Sequence, residues 1–449
     1  MYDYDVLFIG SGHAAWHGAL KLVKAGKKVA FVDGDLIGGT CTNYGCDAKI
    51  LLDAPFAYVN GLKRYKGIGV DSTPAIKWSD LMKYKKQVIS PLPTMMERGI
   101  FGRAGMPVIH AMGKFLDAHT VQAGDKTVTA DKIVIATGEH PVKRDIPGKE
   151  YIHDSRDFLD METFPERIAF IGAGIIAMEF ASMAIELGSQ VTVIHHNDRA
   201  LRMYPKDYVD IVVNKMRDEG VNFAFNESVS SIVKQGEEFV ITYESGKTLT
   251  VDYVLEATGR EANVDGLDLE KAGVEYSRKG IKVNAYLQTN VPHIYASGDV
   301  IDKKIPKLTP TATFESNYIA DHILDAGTAP ISYPVVPNLV FTLPRIAQVG
   351  VSVDAAKQDT DHYDVVTVPY GKTLLFEAKN ETYAEFTFVF NKEHDLVGAA
   401  FISDDAGMFV DIITMIINKK MSSQEINQMI FAFPTESYGL ISMVAGLLK

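Results

Sequence analysis

Short apolar runs alternate along the chain with stretches of helical periodicity. "YDVLFIG" (residues 4–10) and "KKVAFVD" (residues 27–33) are apolar runs of strand length, and "AAWHGALKLVKAG" between them carries apolar residues at helical spacing. The same order of strand, glycine turn, helix and strand recurs over residues 167–196. Because strand and helix alternate in both stretches, the pattern predicts two α/β units with parallel sheets.

The pattern changes after residue 330. Pro334, Pro337 and Pro344 bracket an extended segment. The runs "DVVTVPY", "YAEFTFVFN" and "LVGAAFI" then predict strands, and "AGMFVDIITMIINKK" predicts an amphipathic helix. We expect residues 331–449 to form a separate α+β domain.

Small residues at fixed spacing form a G-x-G-x-x-A fingerprint after the first strand of each α/β unit. The first glycine permits the tight turn, and the second lets a pyrophosphate approach the backbone. Asp33 ends the second strand, where an acid binds ribose hydroxyls. The fingerprint residues are Gly10, Gly12, Ala14 and Ala15 in the first unit and Gly172, Gly174 and Ala177 in the second.

These fingerprints predict the fold class and the domain limits. The class is α/β, with two Rossmann-like dinucleotide-binding domains and a C-terminal α+β domain. The first nucleotide domain is expected at residues 1–145 and 264–330, and the second at residues 146–263.

Composition and charge narrow the range of partners. The chain of 449 residues is 47% hydrophobic with a formal net charge of -12, which argues against binding to nucleic acid or to an anionic membrane. The N-terminus has no basic region of the kind that begins a signal peptide. Glu179 and several glycines interrupt the longest apolar run, residues 168–185, so it does not read as a membrane span. We expect a cytoplasmic protein.

The chain has two cysteines, Cys41 and Cys46, with four residues between them. So short a loop restrains the unfolded chain little, which weakens the interpretation as a structural disulfide. Structural zinc usually has four cysteine and histidine ligands, and no second pair stands nearby. A redox pair is the leading interpretation, since a nucleotide fold precedes it.

The ordered motifs resemble the class I pyridine nucleotide-disulfide oxidoreductases, the family of glutathione reductase, lipoamide dehydrogenase and mercuric reductase. The resemblance runs the whole length of the chain and implies that the C-terminal α+β domain is the dimerisation (interface) domain. Besides the two fingerprints, it rests on G-G-T-C-x(4)-C at residues 38–46, ATG at 136–138 and 257–259, "ASGDV" at 296–300, "KLTPTA" at 307–312 and "PNLVFTLPRIAQVG" at 337–350.

The resemblance implies that FAD binds the first domain. Asp33 would bind the adenosine ribose and Asp299 the ribityl chain, and the backbone of Gly113 would lie beside the adenine. His13 would line the flavin site rather than act as a catalyst. The residues expected to contact FAD are Gly10, Gly12, His13, Ala14, Asp33, Gly39, Thr40, Lys49, Gly113, Thr137, Gly138, Asp299, Thr311 and Ala312.

The resemblance also implies that NADPH or NADH binds the second domain. No acid ends its second strand, and His195, Arg199 and Arg202 could meet a 2′-phosphate, as two arginines do in glutathione reductase. This favours NADPH, although charged residues after a strand are often simply solvated. The expected contacts are Gly172, Gly174, Ile175, Ile176, Glu179, His195, Arg199, Arg202 and Gly259.

The resemblance assigns the cysteines different roles. Cys46 would be the charge-transfer thiolate beside the flavin, and Cys41 the interchange thiol that meets the substrate. A helix N-terminus and a flavin both favour thiolate over thiol. Lys49 would pair with Glu179 near the flavin, because an unpaired carboxylate in an apolar helix is costly.

The tail departs from the family pattern. Disulfide reductases of the family carry a His-Pro-Thr-x-Ser-Glu stretch that works from the partner subunit, but this chain has "FAFPTESYG". Phe433 takes the histidine position and Tyr438 the glutamate position. Either Phe433 simply packs and another group handles protons, or the enzyme does not use the usual acid-base route. Asp47 and Ala48 also replace the usual aliphatic-proline pair, which bears on the redox potential.

We therefore predict a homodimeric flavoenzyme that passes electrons from NADPH through FAD to Cys41 and Cys46. Its final acceptor is a small molecule or a small thiol or disulfide other than glutathione disulfide or lipoamide. Mercury reduction is disfavoured, because the chain has no further cysteine pair near its end. Two alternatives stay open: reductive thioether cleavage like that of 2-ketopropyl-coenzyme M carboxylase, which also has phenylalanine at the histidine position, and a flavin-disulfide redox sensor that is not an enzyme.

Overall fold

The computed structural model describes residues 1–325 and 327–448, so positions 326 and 449 of the predicted domains lie outside the described residues. The first part of the chain forms a sheet with the strand order β3-β2-β1-β6-β5-β4. Its elements are β1 (Tyr4–Ile9), α1 (Trp16–Lys24), β2 (Val29–Asp33), α2 (Gly39–Tyr44), α3 (Cys46–Lys63), α4 (Trp78–Ile89), α5 (Leu92–Met96), β3 (Val108–His110), β4 (Gly113–Phe115), β5 (Thr120–Ala123), β6 (Lys126–Ile135) and β7 (Glu139–Pro141).

The parallel strands of this sheet are buried on both faces. β1 pairs in parallel with both β2 and β6, and its apolar residues are almost fully buried. Such strands read as continuous apolar runs because helices cover both faces of the sheet. Gly10 turns the chain after β1 with φ +99°, and a Cβ there would lie 2.4 Å from the Ala136 carbonyl oxygen. Only glycine therefore fits this turn.

The second part of the chain repeats this architecture. β10, β9, β8 and β14 form a parallel sheet, β11, β12 and β13 form an antiparallel one, and β15 pairs with β7. The elements are α6 (Ser155–Leu159), β8 (Arg167–Ile171), α7 (Ile175–Glu186), β9 (Gln190–His195), α8 (Lys206–Asp218), β10 (Asn222–Phe225), β11 (Val229–Gln235), β12 (Glu238–Tyr243), β13 (Thr248–Val251), β14 (Tyr253–Glu256) and β15 (Arg260–Ala262).

The chain then returns to the first sheet. β16 (Tyr276–Ser277) and β17 (Gly280–Ile281) pair with each other, and β18 (Ile294–Ala296) adds in parallel to β6. The helix α9 (Thr309–Leu324) packs against α1. The first nucleotide fold is therefore built from two separate stretches of the chain.

The third part is an antiparallel sheet with the order β19-β20-β23-β22-β21. Buried phenylalanines of β22, β23 and the helices on them form its core. The elements are β19 (Asn338–Val340), β20 (Ile346–Gly350), α10 (Val353–Gln358), β21 (Tyr363–Val368), α11 (Leu374–Ala378), β22 (Glu385–Asn391), β23 (Leu396–Ile402), α12 (Ala406–Lys419), α13 (Ser423–Asn427) and α14 (Glu436–Leu447).

This architecture confirms the predicted fold class of two Rossmann-like units and a C-terminal α+β unit. Short 3₁₀ turns lie at Lys149–Tyr151, Leu269–Ala272, Gly298–Val300 and Tyr370–Lys372, and a π-helical turn lies at Glu97–Gly102. Among the described residues, we find no helix with the length and apolarity that crossing a bilayer requires.

Candidate active site

The two cysteines lie at the junction of two helices in the first domain. Cys41 is in α2, and Cys46 is the first residue of α3. Both are free thiols. Thr309 Oγ1, at the start of α9, lies 3.6 Å from Cys46 Sγ. The cysteine pair is therefore assembled, with a hydroxyl group beside Cys46.

The two thiols differ in acidity. The neighbouring thiol of Cys41, with Thr309 and the charge of Lys49, lowers the pKa of Cys46 to about 6 against the effect of burial. The proximity of Cys46 and burial raise the pKa of Cys41. Asp47 raises the pKa of Cys46, but this is the weakest of these influences. These directions favour a thiolate at Cys46 and a thiol at Cys41.

A buried ion pair lies one helical turn beyond Cys46. Lys49 Nζ is 2.9 Å from Glu179 Oε2, and the Glu179 side chain is 2% exposed. The backbone N–H of Phe341 donates to Glu179 Oε1 at 2.8 Å, and the Lys49 ammonium lies 4.0 Å from the centroid of the Phe341 ring. The first, second and third domains thus each contribute one residue to this cluster.

The ring of Phe341 also contacts a second cation. The Arg345 guanidinium lies 4.5 Å from the centroid of the Phe341 ring, and its Nη2 is 2.6 Å from Oδ2 of the buried Asp53. Asp53 is on α3, the helix that Cys46 begins. The ion pair therefore fixes the loop after β19 against the helix that carries Cys46 and Lys49.

The turn after β1 and the end of β2 form a polar cradle. The backbone N–H and the hydroxyl of Ser11 both donate to Asp33 Oδ2, at 2.8 and 2.6 Å. Burial raises the pKa of Asp33, and the hydrogen bonds from Ser11 oppose that rise. Across the cradle, a Cβ on Gly39 would lie 2.9 Å from the Cα of Gly12. The backbones at Gly12 and Gly39 therefore approach each other so closely that a side chain at position 39 would collide with Gly12.

Two buried oxygens test whether this cradle fits a large polar cofactor. Asp299 Oδ1 and Thr311 Oγ1 are buried and have no hydrogen-bond partner within residues 1–325 and 327–448. Buried polar atoms are rarely left unpaired, because each one costs free energy. Both residues belong to the set predicted to contact FAD, and a ligand with hydroxyl groups would satisfy them. The residues present thus fit FAD.

The other residues predicted to contact FAD also lie in the first domain. Thr137 Oγ1 donates to the Asn263 carbonyl at 2.7 Å, and Gly138 beside it has φ +70°. Ala14 packs so closely that a Cβ on Gly298 would lie 2.6 Å from the Ala14 Cβ. The remaining positions are His13 before α1, Thr40 in α2, Gly113 at the start of β4 and Ala312 in α9.

The second fingerprint repeats the geometry of the first. A Cβ on Gly172, which has φ +108°, would lie 2.6 Å from the Ala257 carbonyl oxygen. Gly174 caps α7, whose first two residues are Ile175 and Ile176, and an added Cβ on Gly174 or on Gly259 would meet no atom within 4 Å among the described residues. This open helix N-terminus suits the pyrophosphate of a nucleotide.

His195 and its neighbours lie at the end of β9. Burial, with the charges of Arg202 and Arg144 among the lesser causes, lowers the pKa of His195 to about 4. Arg199, which is also predicted to face the nucleotide, lies in the loop that follows β9. Its guanidinium donates to the backbone carbonyls of Arg202 and Tyr204 at 2.9 and 2.8 Å, because these carbonyls lie in its own loop. Arg202 is exposed and remains available to a phosphate.

The predicted tail residues lie together in the third domain. Phe433 is 76% exposed, and its ring packs edge-to-face on Tyr438 with centroids 5.3 Å apart. Glu436, the carboxylate of this segment, begins α14 and lies 3.6 Å from Lys379 Nζ. Phe433 therefore exposes an apolar ring, and the carboxylate of Glu436 is paired with the ammonium of Lys379.

Comparison with known families agrees with this geometry. Residues 4–316 match the model of the pyridine nucleotide-disulphide oxidoreductase family, and residues 336–441 match the family's dimerisation domain. The chain belongs to this family. Its members form homodimers through the matched C-terminal domain, and FAD and a nicotinamide nucleotide are the cofactors of this oxidoreductase.

Similar proteins align with nearly the whole length of this chain. It is 31% identical to a mercuric reductase of Staphylococcus aureus, over 98% of this chain and 81% of the relative. It is 29% identical to a glutathione reductase of Nostoc sp., over 98% of this chain and 99% of the relative. The structure of a Cu(II) complex of the HOCl-induced flavoprotein disulfide reductase RclA from Escherichia coli superposes with a TM-score of 0.88 at 25% identity, over 97% of this chain and 98% of that one. The named relatives differ in acceptor, so the match alone does not select one.

Sequence reasoning missed several residues at the site of this oxidoreductase. They are Thr309 beside Cys46, Phe341 beside Lys49, and His17 and Thr313 beside His13. Helical spacing could have found two of them, because His17 follows His13 by four residues and Thr313 follows Thr309 by four. No sequence motif indicated Phe341, because it contacts the Lys49–Glu179 pair through its backbone N–H and its ring.

Proposed function

We propose that this oxidoreductase transfers two electrons from NADPH, by way of FAD, to Cys41 and Cys46 and then to a small acceptor other than glutathione disulfide or lipoamide. The observation that carries the proposal is the position of Cys46 at the start of α3, with Thr309 Oγ1 3.6 Å from its sulfur and the Lys49–Glu179 ion pair one helical turn away. A thiolate at Cys46 and a thiol at Cys41 are the protonation states that a two-step exchange needs.

The residues of the site have separate tasks in this proposal. Bound FAD supplies the two-electron relay between the nicotinamide and the cysteines. Asp33 accepts hydrogen bonds from the adenosine ribose, and Asp299 and Thr311 bind the polar chain of the cofactor. Lys49, held by Glu179, keeps a positive charge beside the thiolate of Cys46. The proposed domain limits are residues 1–145 with 264–330, 146–263 and 331–449.

The choice of NADPH rests on the charge at the end of β9. A carboxylate at this position would bind the ribose diol of NADH, and His195 stands there instead. Arg202 and Arg144 contribute positive charge beside it. An always-charged guanidinium suits a 2′-phosphate, which supports NADPH over NADH. Steady-state kinetics with both nucleotides test this preference, and equal kcat/KM values would contradict it.

The choice of acceptor rests on Phe433. Loss of a positioned acid-base group lowers a rate by about 10²- to 10⁴-fold, so a tail with phenylalanine suits an acceptor that does not depend on that group. In the homodimer, the exposed ring of Phe433 is proposed to cover the site of the partner subunit and to shape the entrance that leads to Cys41. This distinguishes the acceptor from those of the family's usual disulfide reductases.

Anaerobic reduction with NADPH tests the cysteine assignment. We expect a long-wavelength absorption band from the thiolate of Cys46 in contact with the flavin. The band should disappear in Cys46→Ser and appear without added reductant in Cys41→Ser, which leaves Cys46 as a permanent thiolate. Full flavin reduction without the band would overturn the proposed redox pair.

A panel of acceptors tests the second half of the proposal. The reduced enzyme is offered disulfides, quinones, metal ions and carbonyl thioethers, and NADPH oxidation is followed. Turnover with one of these classes, and slow turnover with glutathione disulfide, supports the proposal. Turnover of glutathione disulfide at the rate of a glutathione reductase would overturn it. A band with no turnover on any class would point to a redox sensor instead.

A further inference from the structure

Two threonines on one face of α9 connect the cysteine pair to a histidine. Thr309 Oγ1 lies 3.6 Å from Cys46 Sγ, and Thr313 Oγ1 lies 3.4 Å from His13 Nδ1. Residues four apart on a helix have Cβ atoms about 5–6 Å from each other. Cys46 and His13 therefore contact successive turns of the same face of α9, at the part of this helix that faces the start of α1.

A second imidazole fixes the orientation of His13. His17 Nε2 lies 3.2 Å from His13 Nδ1, one turn along α1. The His17 ring stacks on Trp16 with centroids 3.5 Å apart, which holds it in place. Burial, aided by the neighbouring His13, lowers the pKa of His17 to about 4, so His17 is neutral at physiological pH. Because His17 is neutral, it can share a hydrogen bond with His13 without placing a second positive charge beside it.

The groups that face His13 come from three elements. They are His17 from α1, Thr313 from α9 and the carboxylate of Asp47 from α3. Burial lowers the pKa of His13, while the charge of Asp47 raises it. Asp47 directly follows Cys46 along the chain. A base held by a neutral partner and balanced by a carboxylate is the arrangement used for general acid-base catalysis.

We propose that His13 carries protons to and from Cys41 during exchange with a low-molecular-weight disulfide, in place of the tail histidine that Phe433 replaces. The inference rests on the proposed function, because it assigns the proton transfer of the same cysteine pair. It also revises the expectation that His13 only lines the flavin site. Asp47 and His17 act as positioning residues.

The exchange conserves atoms and electrons. Cys41 attacks one sulfur of the acceptor disulfide, its proton passes to His13, a Cys41–acceptor disulfide forms, and the acceptor S–S bond breaks. The leaving thiolate takes the proton from His13. The thiolate of Cys46 then attacks the Cys41 sulfur, restores the internal disulfide and releases the second acceptor thiolate, which water protonates. The cysteine pair loses two electrons, and the acceptor disulfide gains them.

Two small disulfides with different leaving groups test the proposal. Reduced enzyme and reduced His13→Gln are mixed under nitrogen with bis(2-hydroxyethyl) disulfide or with 5,5′-dithiobis(2-nitrobenzoate), and the decay of the thiolate band is followed. An alkyl thiolate leaves faster when it is protonated, whereas the acidic aryl thiol leaves unaided. We expect a loss of about 10²-fold or more with the alkyl disulfide at pH 7, and a loss at least about tenfold smaller with the aryl one.

A pH profile separates proton transfer from structure. The rate of wild type with the alkyl disulfide should titrate with the protonation of His13, and this inflection should be absent in His13→Gln. His362→Gln, an exposed histidine in the third domain, is the matched control and should leave both rates unchanged. Equal losses with both disulfides, or an unchanged pH profile, would overturn the role of His13.

A second variant decides the matter if His13→Gln does not retain FAD. His17→Phe keeps a ring stacked on Trp16 and removes the nitrogen that faces His13. We expect a loss of about tenfold that is again larger for the alkyl disulfide. An equal loss of rate with the alkyl and the aryl disulfide would contradict the proposal. If wild type itself forms no thiolate band, the proposed function has failed, whereas a normal band with wild-type rates in both variants refutes only the role of His13.

Discussion

The ammonium of Lys49 lies 2.9 Å from the carboxylate of Glu179, although the two residues are 130 positions apart and belong to different nucleotide-binding folds. The Glu179 side chain is 2% exposed and that of Lys49 is 20% exposed. A third fold contributes the Phe341 backbone N–H that also binds Glu179. This pair therefore links the cysteine helix to the rest of the enzyme, and it leads to the first prediction.

Replacing Lys49 with Met should destabilise the protein, because it leaves Glu179 buried without its cation. Breaking a buried pair costs about 3–5 kcal/mol, and the partial exposure of Lys49 places the expected loss near the lower value. The free energy of unfolding in urea measures it. Lys206→Met removes one partner of an exposed pair with Asp210 and should cost much less, because solvent screens that pair. Equal losses in the two variants would show that burial does not matter here.

The thiolate band of the reduced enzyme should depend on pH with a midpoint near the pKa of Cys46, about 6. Because this pKa is lowered from its ordinary value, the thiolate is present above pH 6 and is lost as the pH falls through it. Asp47→Asn should move the midpoint down, since the Asp47 carboxylate raises the pKa of Cys46. Absorbance against pH measures both values. A midpoint above pH 8 would contradict the acidity argued for Cys46.

Phe433→His should increase the rate of disulfide reduction, because it returns an acid-base group to the tail. An increase of about tenfold or more is expected, within the range that such a group supplies. The matched control is Ile430→His, since Ile430 is even more exposed than Phe433 and lies in the same segment. Steady-state rates with glutathione disulfide test both variants. If Phe433→His is no faster than wild type, the tail position does not limit the reaction.

Arg202→Leu should weaken the use of NADPH and leave the use of NADH unchanged. A hydrogen bond to a charged group contributes about 1.5–3 kcal/mol, so kcat/KM for NADPH should fall about 10- to 100-fold. Arg199→Leu serves as the comparison, because the Arg199 guanidinium is bonded to backbone carbonyls. It should lower stability and affect both nucleotides alike. Loss of NADPH preference in Arg199→Leu alone would reverse the assignment.

Sequence patterns were sufficient where a function depends on neighbouring residues. The glycine spacing after β1 and β8 predicted both nucleotide folds, because only glycine permits φ near +100° beside a carbonyl oxygen. The nucleotide fold that precedes Cys41 and Cys46 indicated a redox pair, and the two cysteines lie in adjacent helices. The Pro-Thr neighbours of Phe433 mark the register from which the departure in the tail is predicted.

Tertiary structure decided what lies across from these motifs. Thr309 meets Cys46 over 263 positions, Thr313 meets His13 over 300, and Phe341 meets Glu179 over 162. Arg199 is a predicted phosphate ligand, and the packing of its loop decides which backbone carbonyls its guanidinium binds. Local sequence determines which backbone turns and helices form. The partners of a side chain depend on how separate elements pack, and no short stretch of sequence contains that information.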